Sequence, residues 1–276
     1  MSKRTITGWT FLIITCAALW IGSWFWALYM LFLIFLGERE LLAMLHSKDL
    51  KPSVVNLYIS SCIFVFLCCI NEIKYFHLAI IFLAICAFLT ILKRGKEARI
   101  RDIGATLLCI IYASVFPTHL ILIRNLDAGT ISYFGHDFNL AIGYTILTVF
   151  GITATDVAAY VVGCKFGKHK LWKEVSPNKT IEGSMAGTLF SIFITACCGV
   201  ILHMNWWQIL GIALLITVFA QLGDLTESMM KRDAGAKDAS DILPGHGGLL
   251  DRADSYIFTA PVAFYFLYYF VVNPIF

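Results

Sequence analysis

Residues 206–258 read WWQILGIALLITVFAQLGDLTESMMKRDAGAKDASDILPGHGGLLDRADSYIF. The stretch opens on an apolar run, 206–230, that as a helix is long enough to cross a hydrocarbon core of roughly 30 Å. It does not end apolar. If the helix continues to about residue 231, Asp224, Glu227, Ser228 and Lys231 fall at i, i+3, i+4 and i+7 and share one face. Asp251, Asp254 and Ser255, at i, i+3 and i+4, form a second polar face where the next apolar run begins. Between the two faces, Gly235, Pro244, Gly245, Gly247 and Gly248 give a backbone that can turn sharply and approach a ligand closely.

Moving outward, the whole chain has the same character. Of its 276 residues, 59% are hydrophobic and 14% charged, with a mean hydropathy of +0.79. A soluble domain carries about 25% charged residues, so one soluble core does not account for this chain. Apolar blocks predict nine membrane spans near 8–22, 24–45, 53–70, 76–92, 102–123, 139–163, 183–202, 206–230 and 256–272. The run from 8 to 36 is too long for one untilted helix, and Gly22-Ser23 offers a turn between two. Lys3 and Arg4 precede the first apolar run, but no small-residue cleavage site follows, so it reads as a retained span. The fold class is therefore all-α, a polytopic integral membrane protein with about nine transmembrane helices.

Charge placement sets an orientation. With the N-terminus inside, the inner segments hold 19 of the 21 Lys and Arg residues, leaving Lys74 and Arg124 outside. The nine cysteines include no CxxC pair and read as small apolar packing residues, neither a disulfide frame nor a zinc site. Residues 1–150 read as a scaffold of transmembrane helices. Ten of the 18 acidic residues lie from Asp156 onward, so residues 151–276 are expected to carry the chemistry in their helices and inner loops.

Carboxylates at a membrane helix end are costly unless paired with cations or metal, and they are functional candidates by default. Asp and Glu oxygens without His or Cys partners suit a hard ion, Mg²⁺ above all, which takes one or two carboxylates together with substrate phosphates. The nearby cations outnumber what those acids need: Lys231, Arg232, Lys237 and Arg252, with Lys165, Lys168, Lys170, Lys173 and Lys179 of the 164–182 loop. Phosphates are their natural guests. Lys165, Lys168, Lys170 and Lys173 read as topology signals. Asp156, facing Tyr160 at i+4, reads as functional, and His246 between glycines as a phosphate or substrate contact.

These residues resemble the phosphatidate cytidylyltransferase (CDP-diacylglycerol synthase) family. The family signature stands here as Ser228, Lys231-Arg232, Lys237-Asp238, Pro244-Gly245-His246-Gly247-Gly248 and Asp251-Arg252-Ala253-Asp254. A second similar segment is SPNKTIEGSMAG, residues 176–187, preceded by Asp156, Tyr160 and Gly163. The resemblance is strong over about 150–256. Two positions depart from the pattern: Ala158 stands where members often have Gly, and Cys164 where they often have Arg. The resemblance implies cytidylyl transfer from CTP to phosphatidic acid, giving CDP-diacylglycerol and pyrophosphate. It also implies Mg²⁺ on Asp224 and Asp251, with a second cation left open, and a homodimer.

The chemistry of the reaction agrees with the residues. A phosphate monoester with a second pKa near ~6 is largely ionised at neutral pH, so it needs no strong base. Repulsion between polyanions opposes attack, and positioning with electrostatic stabilisation is what a protein can supply. Asp224, Asp251, Lys237 and Arg252 are the expected catalytic residues. Ser176, Lys179, Thr180, Ser228, Lys231, Arg232, Asp238, His246, Gly247, Gly248, Asp254 and Asp156 are expected around the substrates, with Lys179, Lys237 and Arg252 on phosphates. CTP would come from the cytoplasm and phosphatidic acid from the inner leaflet, in a bacterial inner membrane, with no nucleic acid involved. Close approach of spans six and seven is expected at Gly151, Gly163, Gly183 and Gly187. Two alternatives stay open: a CTP-dependent lipid (polyprenol) kinase or a cytidylyltransferase acting on another lipid phosphate, and a cation-coupled transporter.

Overall fold

A computed structural model describes residues 3–133, 135–240, 242 and 247–274. Helices occupy all nine expected stretches. They are α1 (Lys3–Ile21), α2 (Ser23–Ser47), α3 (Val54–Cys69), α4 (Phe76–Leu92), α5 (Ile100–Cys109) continuing through a π-helical turn into α6 (Phe116–Arg124), α7 (Leu140–Phe166), α8 (Ile181–Ile201), α9 (Trp206–Asp233) and α10 (Leu250–Phe266). Among the described residues, six helical stretches are long and apolar enough to cross a membrane: Ile73–Leu92, Ile100–Arg124, Leu140–Phe166, Ile181–Ile201, Trp206–Asp233 and Leu250–Val272. Gly8–Ile21 and Val54–Cys69 are apolar but shorter. The chain is an all-α polytopic membrane protein. Among the described residues, the strands form two short hairpins, β1 (Thr130–Tyr133) with β2 (His136–Asn139), and β3 (Lys170–Trp172) with β4 (Ser176–Thr180).

By its contacts the chain divides into two compact units, residues 1–125 with 230–252, and residues 126–229 with 253–276. In the first unit, the turn expected at Gly22 separates α1 from α2. Gly22 has φ +68°, and a Cβ there would run into the guanidinium of Arg124, whose Nε donates to the Leu19 carbonyl at 2.9 Å. The connector after α2 is tied to the start of α5: Arg99 reaches the Asp49 carboxylate at 2.8 Å and Arg101 the same oxygen at 2.7 Å. The hydrogen bond and charge of Arg99 hold the Asp49 carboxyl below its ordinary value.

Helix α2 covers the span expected at 24–45 and runs unbroken to Ser47, carrying Glu38 and Glu40 at 0% and 1% exposure. It can do so because both carboxyls are met by donors. Ser61 and Ser114 donate to Glu38, the latter at 2.9 Å, and Glu40 is received by residues far along the chain, as set out below.

In the second unit, α7 and α8 lie against each other at the glycines expected to allow it. A Cβ on Gly183 would sit 2.6 Å from the Ala159 carbonyl oxygen, on Gly187 2.7 Å from that of Thr155, and on Gly151 2.9 Å from the Thr195 hydroxyl. At Gly183 and Gly187 only hydrogen admits backbone-to-backbone contact, and at Gly151 it leaves room for the Thr195 side chain. The same device operates between α9 and α10, where a Cβ on Gly223 would meet the Asp254 carbonyl oxygen at 2.4 Å.

Candidate active site

The 164–182 segment reads as a loop, and the structure builds much of it into the β3–β4 hairpin between α7 and α8. Thr180 ends β4 and caps α8, its hydroxyl accepting the Gly183 amide at 3.2 Å. Glu182, in the first turn of α8, accepts the Lys168 amide at 3.1 Å and reaches Nδ1 of His169 at 2.6 Å. These bonds fasten the start of the hairpin to the helix, and a fixed hairpin fixes Ser176 and Lys179.

In this unit the hairpin closes a cavity of about 650 Å³ with α7, α8 and α9. Asp156, Ser176, Lys179, Thr180, Asp224 and Ser228, six residues expected from sequence around substrate or metal, all line it. Lys179 Nζ stands 2.7 Å from Asp224 Oδ2, and the two side chains remain 23% and 35% exposed. Asp156 accepts from the Ser255 hydroxyl at 3.1 Å, which ties α7 to α10. Asp254 is buried on α10, its Oδ1 accepting the Ser255 amide at 2.7 Å. The volume falls in the range of small-molecule sites, ~300–1,000 Å³.

Several lining residues were not singled out for the site from sequence. Gln221 donates through Nε2 to Thr188 Oγ1 at 3.2 Å and accepts from the Ser184 hydroxyl. It lies one turn before Asp224, so extending the polar face of α9 back by three residues finds it. Asn178 also lines the cavity, and so does Lys170, a residue that reads as a topology signal.

The remaining expected residues belong to the first unit. Asp251, in the first turn of α10, takes Lys231 Nζ on Oδ1 at 2.6 Å, and on Oδ2 the amides of Ala239 at 2.9 Å and Gly248 at 2.8 Å. Gly247 has φ +80°, a left-handed conformation that suits glycine. A Cβ on Gly248 would lie 2.9 Å from Ala239 Cβ and 3.0 Å from both Asp251 Oδ2 and Glu40 Oε2. This Gly-Gly pair is therefore required by the turn and by lack of room. Arg232 donates to the Ala236 carbonyl at 3.2 Å, while Lys237, Asp238 and Arg252 are exposed. Pro244, Gly245 and His246 lie outside the described residues.

The donor chemistry can be tested against Mg²⁺. Asp224 opens onto a cavity lined largely by oxygen-bearing side chains, the hard donors this ion prefers. Among the described residues no three His, Cys, Asp or Glu side chains are gathered to enclose a metal. Three donors among the described residues reach Asp251, which has roughly four acceptor positions. The residues fit the ion.

The chain is thus a polytopic helical membrane protein with a polar cavity that carries lysines and carboxylates. Comparison with known proteins agrees. The profile of the cytidylyltransferase family matches residues 2–270, and the chain belongs to that family. It is 35% identical over 270 residues to the phosphatidate cytidylyltransferase of Synechocystis sp., covering 90% of this chain and 89% of the relative. It is 45% identical over 132 residues to that of Staphylococcus epidermidis, covering 47% of this chain and 51% of the relative. With that of Staphylococcus aureus the identity is 46% over 121 residues, covering 43% of this chain and 46% of the relative.

Proposed function

We propose that this chain transfers the cytidylyl group of CTP to phosphatidic acid, releasing pyrophosphate and leaving CDP-diacylglycerol in the membrane. The observation that carries the reading is the second-unit cavity, where Lys170, Lys179, Asp224 and the hydroxyls of Ser176 and Ser228 surround a space of nucleotide size. Family membership and the similarity to proteins named phosphatidate cytidylyltransferase support it.

In the reaction, an oxygen of the ionised lipid phosphate forms a bond to the α-phosphorus of CTP. The bond from that phosphorus to the bridging oxygen breaks, and pyrophosphate leaves with the electron pair. Lys179 and Lys170 supply positive charge where charge accumulates, and Ser176, Ser228 and Gln221 supply neutral hydrogen bonds for orientation. The first turn of α8, capped by Thr180, turns its positive dipole end toward the same space. Asp224 and Asp251 are each proposed as Mg²⁺ ligands; the bound ion would neutralise phosphate charge and stabilise the leaving group. Lys231, Arg232, Lys237, Asp238, Arg252 and Asp254 are proposed to contact phosphates or orient those that do. His246 is proposed as a phosphate or substrate contact, and Asp156 is proposed to hold α10 through Ser255.

The basic segments support an orientation with the N-terminus and the site on the cytoplasmic side of a bacterial inner membrane. A homodimer belongs to the same reading. The test is pyrophosphate release by purified protein given CTP, phosphatidic acid and Mg²⁺, beside Asp224→Asn. Release that requires all three and falls at least about 100-fold in the variant is expected. Release independent of lipid, or a variant within about tenfold of the parent, would overturn the assignment.

A further inference from the structure

The structure assigns to Glu40 of α2 the role of a positioning residue that holds both flanks of the 241–246 stretch; the assignment rests on the proposed activity. Glu40 is 1% exposed. Its Oε1 accepts the Leu249 amide at 2.9 Å and the Ser240 hydroxyl, and its Oε2 accepts the Leu250 amide at 2.7 Å. A buried carboxylate with two amides and a hydroxyl has its desolvation offset by charge-assisted hydrogen bonds. The amides it takes belong to the start of α10, where a negative charge is also favoured by the helix dipole.

Three features show that the contact is built. A Cβ on Gly37, one turn before Glu40, would sit 3.3 Å from Leu250 Cδ2, so α2 lies close along the start of α10. Further along α2, the Ser47 hydroxyl donates to the Ala234 carbonyl at 3.4 Å, and Lys48, just beyond the helix, pairs with Asp233 at 3.4 Å. Gly248 lies within reach of both Glu40 Oε2 and Asp251 Oδ2. Asp251 and Glu40 thus divide the work. Asp251 takes the amides of Ala239 and Gly248, Glu40 takes Ser240, Leu249 and Leu250, and Asp251 is set in place by the turn that Glu40 fixes.

The test uses the full chain and the variants Glu40→Gln, Glu40→Ala and Ser240→Ala. Amide hydrogen exchange is read at Leu249 and Leu250, and the rate is measured as a function of CTP. Glu40→Ala is expected to speed exchange at these two amides by about tenfold or more, the loss of two charge-assisted bonds, while α3 and α4 keep their protection. The same variant is expected to raise the half-saturating CTP concentration and lower kcat. Glu40→Gln, which keeps one acceptor oxygen, should fall between, and Ser240→Ala, which leaves both amide bonds, should move least. A general loss of folding would instead raise exchange everywhere and leave half-saturation unchanged. Where Glu40→Ala does not fold, the isosteric Glu40→Gln decides. Unchanged exchange at Leu249 and Leu250 overturns the assignment. A parent protein that makes no CDP-diacylglycerol overturns the activity, while the exchange readout still decides what Glu40 holds.

Discussion

Gly183→Ala puts the close approach of α7 and α8 to a quantitative test. The new methyl would lie 2.6 Å from the Ala159 carbonyl oxygen, 3.0 Å from Thr180 Oγ1 and 3.1 Å from Gly163 Cα, while ordinary contact begins at 3.4 Å. Two of these three neighbours are backbone, the closest among them, so rotating a side chain cannot relieve the clash. The helices must part by somewhat under 1 Å, or the Thr180 cap must break. Overpacking of this kind costs about 1–3 kcal/mol, and loss of a threonine cap about 1 kcal/mol more. The cavity is lined by α7 residues such as Asp156 and α8 residues such as Ser184, so the same shift displaces one wall against the other. A displacement near 1 Å can cost roughly 100-fold in rate. We expect kcat/KM for CTP to fall by about 10- to 100-fold, together with a lower inactivation temperature in detergent. The control is Gly104→Ala: Gly104 lies in α5, and a Cβ there meets nothing within 4 Å. Alanine at an open helix position gains about 0.5–1 kcal/mol, so this variant should be as active and at least as stable as the parent. Full activity and unchanged thermal inactivation in Gly183→Ala would refute the account of helix contact.

Further predictions concern single contacts. Gly248→Ala should reduce activity by about tenfold or more, because its methyl would press on the Asp251 and Glu40 carboxylates and on Ala239 Cβ, and each 1.4 kcal/mol of strain is a factor of ten. Parent-like rates would show that the turn has room to spare. Lys179→Met should lower kcat/KM by at least about 100-fold, while the double variant Lys179→Met, Asp224→Asn should lose less than the two single losses combined, because the groups act as a pair at 2.7 Å. Strict additivity in that cycle would mean they work independently. Lys231→Met should weaken the protein through Asp251, which then keeps its two amide bonds and loses a largely buried cation. An unchanged thermal inactivation profile would count against that pairing.

The helices were legible because their lengths answer to a physical thickness, and Gly22 was legible because a run from 8 to 36 exceeds it. Gly183 and Gly187 were legible as contact points because small residues are what membrane helices use to approach each other. The β3–β4 hairpin was not. Its strands span only three and five residues, too short for an alternation of apolar and polar residues to mark them. Glu38 and Glu40 were hidden for a different reason. Glu38 and Glu40 fall inside the span expected at 24–45, but the groups that receive Glu40 include Leu249 and Leu250, some 210 positions away. Periodicity finds faces, but it does not find partners across such distances. Lys170 shows the limit of reading charge as topology, since the same lysine that marks a side also lines the cavity.

The most direct test of the central claim follows the phosphorus atoms. Purified protein is given phosphatidic acid and Mg²⁺ with CTP radiolabelled at either the α- or the γ-phosphorus, and lipid and aqueous phases are counted separately. Cytidylyl transfer predicts α-label in the lipid and γ-label in released pyrophosphate. Label from the γ-position appearing in lipid, with CDP left in water, would contradict it and make the chain a lipid kinase.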